Sequence, residues 1–586
     1  MTTPAADRPL STDAILSRLV AEGDMVLDRL DAAAAAQPEK PFIVYGEDDL
    51  SLSYAAFRDR TDRLAAGLAG LGIGPDDPVS VFTKNSLVAA IAMFAIWRAG
   101  GVYAPVNYNY FGPLLAYQLA DTAPKVILTD LALADILLEA LPPGAPPAIV
   151  VHRPRPGDHD HAGCEPAPAF GGRQVWDLAD LLGCTDAVPR VPRGPADTAN
   201  IIYTSGTTGP SKGVVQPFRW INGYGFGYRA LTDGNDVVYC DLPMYHVGGA
   251  FFLLTRAAWH GGTVGLWDRF SPGKFWERIA RCGATTCVLL DVMVPWLMSA
   301  EPSTNDRANT LNKVHMQPLP GNSRGVAERF GFDLVTSGFG QTETGMGFIA
   351  LIDHLGAEPG TPPDLYRGLP KAAALARAAA LGFHTVGPGG ELPRGLMGRP
   401  SPWLEAAILD EDDRPCGPDE VGQLAFRPRF PALVLAGYLN KPDVTLKAFR
   451  NLWFHTGDAC RRDPDGVYSF VDRLGGYLRV RGENISSFQV EDLVNAHPKV
   501  RVAAAFPVPA REGNEDDVAV CVELVEGKTA SEADIRAHCE AVMPRYMRPR
   551  HVRVVDRLPL TPTGKIEKYK LRNQLVEELG RTEVPR

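Results

Sequence analysis

From about residue 41 the chain alternates short apolar runs with longer Ala/Leu-rich stretches. "PFIVYG" and "LSLSYAAF" predict strands, and "FRDRTDRLAAGLAGLG" predicts an amphipathic helix ended by glycine. "PVSVFT" follows as a strand, "SLVAAIAMFAIWRAGG" as a helix and "KVILTD" as another strand. Further strand candidates are "NIIYTS", "DVVYCDLP", "GGTVGLW", "TTCVLL" and "FDLVTSGF". Such alternation predicts parallel sheets covered by helices. No internal repeat is visible.

Two long stretches interrupt the pattern. Residues 152–196 are rich in Pro, Gly, Asp and His, and residues 354–395 enclose one short helix between Pro/Gly-rich flanks. Loops of that length are usually functional or disordered. Near the end, the pair Gly475-Gly476 leads into a new unit with strands "RVAAAFPVP" and "DVAVCVELV" and a helix "SEADIRAHCEAVM". The expected division is therefore residues 1–474 and a C-terminal domain of residues 475–586. The expected fold is α/β: a large N-terminal domain of parallel and mixed sheets and a small α+β C-terminal domain.

At 586 residues, 45% hydrophobic and 22% charged, the chain has the composition of a soluble multidomain protein. A net charge of −10 argues against nucleic-acid binding, because no broad basic field is available to displace counterions. The most apolar segment, "SLVAAIAMFAIW", is too short to span a bilayer and ends at Arg98. The start of the chain has no charged lead into an apolar run, so no secretory signal is expected. Nine cysteines without a C-x-x-C pair predict reduced thiols and a cytoplasmic location. "HDHAGC" (His159, His161, Cys164) offers metal-ligand types in a loop, more readily explained as a polar turn.

"YTSGTTGPSKG" (203–213) carries the first chemical signal. Small residues let backbone N–H groups close around an anion, Ser205, Thr207 and Thr208 add hydroxyl donors, and Lys212 adds a mobile charge. The loop does not fit G-x-x-x-x-G-K-[ST]: Ser211 precedes the lysine and Gly213 follows it. Read alone, it could still be an ordinary surface turn. Four other segments stand in order behind it: "LPMYHVGG" with His246, "TSGFGQTETG" (336–345), "FHTGDACRRDPDGVYSFVDR" with Asp458 and Arg473, and "PLTPTGK" ending at Lys565.

Together these segments resemble the adenylate-forming superfamily of acyl-CoA synthetases, peptide-synthetase adenylation domains and firefly luciferase. The resemblance runs from about residue 30 to 573 and rests on "YTSGTTGPSKG", "GQTE", "TGD" and "PTGK". It implies ATP-dependent activation of a small acid as an acyl-adenylate, then transfer to CoA, with release of AMP and pyrophosphate. It assigns Thr204, Ser205, Gly206, Thr207, Thr208 and Lys212 to the ATP phosphates, and Thr204 and Glu343 to Mg²⁺. Gly338, Phe339, Gly340, Gln341 and Thr342 become the wall around adenine and the α-phosphate. Asp458 and Arg473 serve the ribose region, His246 the acyl pocket, and Lys565 the reacting carboxylate and α-phosphate. The resemblance also implies that the C-terminal domain swings between half-reactions, with Gly475-Gly476 at the pivot.

Three departures bear on the acceptor and the acid. Gly475 stands where the family usually has Asp or Lys. Arg481 stands where a small residue often precedes Gly-Glu-Asn, and Met316 and Gln317 replace a bare Gly-rich backbone. They keep open an acceptor other than CoA: a carrier-protein thiol, an amine, or nitrite activation for diazotisation of an aryl amine. A nucleotide-binding homologue without catalysis is the remaining alternative, and the joint presence of Lys212, Glu343, Asp458, Arg473 and Lys565 argues against it. The acid and the oligomeric state are not readable.

Overall fold

The computed structural model describes residues 9–142, 147–161, 170, 172–188, 191–204, 211–290, 293–474, 478–480, 483–485, 487–510, 516–543, 545, 547–560 and 566–580. Two large sheets form the N-terminal part. One has eight strands, with Val102–Pro105, Pro78–Phe82, Val126–Asp130 and Ala148–His152 parallel in its centre. The other has fourteen, parallel through its middle and antiparallel towards one edge. Helix Ser86–Arg98 is buried along nearly its whole length, as an element apolar on all sides must be. It is capped by Asn85, whose side chain accepts from the N–H of Val88, and the chain turns away at Gly100, φ +88°.

"LSLSYAAF" differs from expectation. The strand covers only Leu50–Ser53, and a helix begins at Tyr54. Ser53 both pairs with Pro41 and caps that helix by accepting from the N–H of Ala56. The helix inside residues 354–395 forms at Lys371–Ala380, followed by a short strand, His384–Val386.

The elements that build the site are, in chain order, β1 (Thr198–Thr204), β2 (Lys212–Pro217) and α1 (Phe218–Arg229). A π-helical segment, Gly248–Thr255, then runs directly into α2 (Arg256–His260). Next come β3 (Thr286–Leu290), β4 (Lys313–Gln317), β5 (Leu334–Gln341) and β6 (Gly345–Ile352). The last two are β7 (Phe454–Arg462) and β8 (Tyr468–Arg473). β3, β4 and β5 are parallel neighbours, so their C-terminal ends open on one side of the sheet, where ligands of open α/β sheets bind.

A separate C-terminal sheet of Val500–Pro509, Asp516–Leu524 and His551–Val555 carries helices Ser487–Asn495, Glu532–Val542 and Lys568–Glu578. It has its own apolar core around Val490, Val520, Ile535 and Val552. Contacts with the large domain are made by Asp472, whose carboxylate accepts from the N–H and hydroxyl of Ser487 at 2.8 and 2.7 Å. Phe470 meets Phe488 edge-on at 6.0 Å, and Arg394 pairs with Asp492 at 2.6 Å. Gly475 and Gly476 lie outside the described residues. No described helix is long and apolar enough to cross a membrane.

Candidate active site

The phosphate-type loop is held at both ends. Thr204 and Lys212 face each other at the end of the β1–β2 hairpin, and Ser205, Gly206, Thr207 and Thr208 lie outside the described residues. Next to Thr204, the Tyr203 hydroxyl donates to Asp121 at 2.8 Å. On the other side, the Tyr117 hydroxyl donates to the carbonyl of Ser211 at 2.9 Å. Both anchors belong to the helix Gly112–Thr122.

Two hydrogen bonds draw the "GQTE" segment to this hairpin and its neighbour. The Gln216 side-chain amide donates to the carbonyl of Thr342 at 2.7 Å, and the N–H of Leu435 donates to the carbonyl of Glu343 at 2.7 Å. Tyr438, which no motif singled out, completes the junction. Its hydroxyl donates to Glu343 Oε1 at 3.1 Å, while Lys212 Nζ lies 4.8 Å from the centre of its ring. Burial, with Glu343 adding to it, keeps the Tyr438 phenol protonated. One tyrosine therefore orients both the cation and the carboxylate. If Glu343 holds Mg²⁺, as the sequence resemblance implies, replacing Tyr438 with Phe is expected to leave the fold intact and raise the Mg²⁺ concentration needed for half-maximal pyrophosphate release several-fold. An unchanged Mg²⁺ titration would show that Glu343 needs no such support.

Gln341 ties the end of β5 to β7: its side-chain amide donates to Asp458 Oδ2 and, at 3.1 Å, to the carbonyl of Thr456. Asp458 is only 1% exposed and stands directly opposite Arg473 on β7 and β8. The Arg473 side chain lies outside the described residues. Gly338 is glycine because of the sheet itself. It pairs with Ile349, and a Cβ there would come within 2.2 Å of the Phe348 carbonyl oxygen. The Phe339 ring packs among Phe348, Phe426 and Phe470.

His246 is exposed, and its Nδ1 accepts from the N–H of Gly248 at 3.1 Å. That bond places a neutral ring's proton on Nε2. Met316 is fully buried and Gln317 half-buried on β4, a strand that periodicity did not reveal because polar Lys313 and His315 interrupt it. Lys565 and Arg481 lie outside the described residues.

The histidine-rich turn takes another role. His159 bonds Asp48 at 3.0 Å through Nδ1 and Asp268 at 2.7 Å through Nε2. Partial burial opposes its charge, but these carboxylates outweigh it and raise the pKa to about 9. Both nitrogens of the resulting imidazolium donate, so neither has a lone pair for a metal. Cys164 is outside the described residues, and among those described no group of three metal-ligand side chains is assembled.

Residues 30–439 match the AMP-binding enzyme family, and residues 489–565 match the AMP-binding enzyme C-terminal domain. The sulfoacetate–CoA ligase of Cupriavidus necator is 28% identical over 558 residues, covering 93% of this chain and 97% of its own. The crotonobetaine/carnitine–CoA ligase of Salmonella arizonae is 26% identical over 525 residues, with 89% and 93% covered. ATP-bound MatB from Rhodopseudomonas palustris has the same fold, with a TM-score of 0.74 at 23% identity over 95% of this chain and 99% of that one. With a family match spanning both domains and the site just described, the chain belongs to the AMP-binding enzyme family, as an AMP-forming ligase of the acyl-CoA synthetase type.

Proposed function

We propose that this protein is an acid–CoA ligase: it activates a small carboxylic acid with ATP, releases pyrophosphate, and passes the acyl group to the thiol of CoA. The observation that carries the reading is the Lys212–Tyr438–Glu343 junction, which sets a phosphate-seeking cation and a hard carboxylate at one spot beside the loop. The sulfoacetate and crotonobetaine/carnitine relatives are CoA ligases, which favours CoA over a carrier-protein thiol, an amine or nitrite chemistry.

Each residue has a defined task. Lys212 and the hydroxyls of Ser205, Thr207 and Thr208 hold the β- and γ-phosphates, which leave as pyrophosphate. Asp458, oriented by Gln341, accepts from the ribose hydroxyls, and Arg473 supports the same region. The backbone of 338–342 lines adenine and the α-phosphate. Thr204 and Glu343 supply oxygen donors of the kind Mg²⁺ takes, and the ion when bound would offset phosphate charge. His246 and the 315–317 segment border the acyl group. Lys565 comes to the carboxylate and α-phosphate only while the C-terminal domain, taken as residues 475–586, is in its adenylating position.

Pyrophosphate release measured against a panel of acids plus nitrite, each with and without CoA, tests the proposal. Acid-dependent release, with CoA consumed in equal amount, is the expected result. Release that never consumes CoA would replace CoA with another acceptor, and no release with any acid would overturn the assignment.

A further inference from the structure

Arg256 opens α2 in the middle of an apolar run, "GGAFFLLTRAAWHGG", and is 3% exposed. Its guanidinium makes no hydrogen bond or ion pair with any described residue, and Nε and Nη2 are buried without a partner. The face of Phe252 lies against it, 5.0 Å from the ring centre. Other buried arginines keep hydrogen bonds or ion pairs through their Nη atoms, although Nε of Arg229 is also without a partner. Arg229 donates to the backbone and side chain of Asn222 and to Glu22, and Arg278 to the Arg269 carbonyl and Glu47.

The charge of Asp236 favours the guanidinium, but its carboxylate makes no hydrogen bond or ion pair with it. Asp236 Oδ1 is taken by Lys313 Nζ at 3.0 Å and the Thr285 hydroxyl at 2.6 Å. Its Oδ2 accepts from the N–H groups of Asp233 and Leu369. Burial lowers the Arg256 pKa to about 10, so it stays charged at neutral pH. A buried charge without a counter-ion costs several kcal/mol, and a protein keeps such a group where a ligand completes it.

Arg256 lines a small cavity with Tyr228, Thr286, Lys313, His315 and Thr336. The cavity measures about 10 Å³, room for one water. His315 is kept neutral, its pKa pushed down to about 4 by burial with Arg256 adding to it. Its Nε2 donates to Gln317 Oε1 at 2.8 Å. The hydroxyls of Tyr228 and Thr336 both lie near its Nδ1, at 3.1 and 3.2 Å. That nitrogen has a single lone pair, so the second hydroxyl can turn its proton to another acceptor.

The position is as informative as the charge. Thr336 stands two residues before Gly338 on β5, and His315 two before Gln317 on the adjacent β4. The cavity therefore lies ~7 Å along the strands from the proposed α-phosphate wall, the length of an acid of roughly two to four carbons.

We propose that Arg256 is a specificity-determining residue that receives a second anionic group, a carboxylate or sulfonate, at the far end of a short acid substrate. This rests on the acid-activating reading above. One oxygen of that group takes the water-sized space, the guanidinium neutralises it, and the Tyr228 or Thr336 hydroxyl donates to it.

Pyrophosphate release with succinate and sulfoacetate, compared with butyrate, tests the inference in the intact protein. The parent should prefer at least one of the two-anion acids by about 10²-fold in kcat/KM, as expected of a site whose buried polar groups are otherwise left unpaired. Arg256→Met should remove that preference, mainly through KM, and change butyrate only a few-fold, while Arg256→Lys should keep part of it. Because the guanidinium is unpaired without substrate, Arg256→Met should also melt no lower than the parent. Equal use of butyrate by the parent, equal loss of all acids in Arg256→Met, or a clearly lowered Tm would each overturn the inference. Should no acid release pyrophosphate, the activity reading fails by itself. Thermal shift with succinate or sulfoacetate alone then decides: a rise in the parent that Arg256→Met abolishes supports the anion site, and no rise overturns it.

Discussion

Lys565→Ala is expected to lower acid-dependent pyrophosphate release by about 10²-fold or more while ATP binding stays nearly unchanged. The reasoning is electrostatic. A carboxylate attacking the α-phosphate brings negative charge onto an already negative chain, and the charge at the reacting centre peaks in the transition state. On the proposed reading, a swing of the C-terminal domain would bring Lys565 there, where it would lower the barrier more than it stabilises bound ATP, so its loss falls on kcat. Transfer from preformed adenylate to CoA should survive, because in that half-reaction the lysine has moved away. Near-normal pyrophosphate release by Lys565→Ala with its true acid would remove Lys565 from the reaction.

Gly475→Pro is expected to separate the two half-reactions. Proline fixes φ, so a pivot at this position could no longer turn. The contacts described between the domains are few: two hydrogen bonds from Ser487 to Asp472, the Phe470–Phe488 edge contact, and the exposed Arg394–Asp492 pair. These contacts among the described residues are together worth about a few kcal/mol. The variant should thus retain pyrophosphate release in a single turnover and lose thioester formation. Loss of both together would indicate damaged folding, and retention of both would place the pivot elsewhere.

Much of the fold was legible because the apolar pattern was unbroken where the elements are fully buried. "SLVAAIAMFAIW" is a core helix and "KVILTD" a central strand, as their composition suggests. Legibility failed where a polar residue does a structural task. Ser53 ended a strand by capping a helix, and β4 was hidden by buried Lys313 and His315, which bond to Asp236 and Tyr228 from distant parts of the chain.

The site divides in the same way. The phosphate loop, "GQTE" and Asp458 carry compact motifs, because their chemistry needs fixed neighbours in sequence. Tyr438 and Asp121 act through hydrogen bonds across the fold, for which no spacing rule exists. Arg256 did leave a trace, a lone arginine inside an apolar run, but only the fold shows that its buried nitrogens lack partners among the described residues.

The two anchors of the phosphate loop carry a further consequence. Tyr203 and Tyr117 fasten both ends of the loop to one helix. The entropy of bringing the loop's ends together has been met in advance by folding, and none of it is charged against the nucleotide. If the loop holds ATP as proposed, grip on it is set partly by the carboxylate of Asp121, more than eighty residues before the loop. Loosening that tether would weaken nucleotide binding by raising the disorder of the unliganded protein, with every phosphate-binding group still in place.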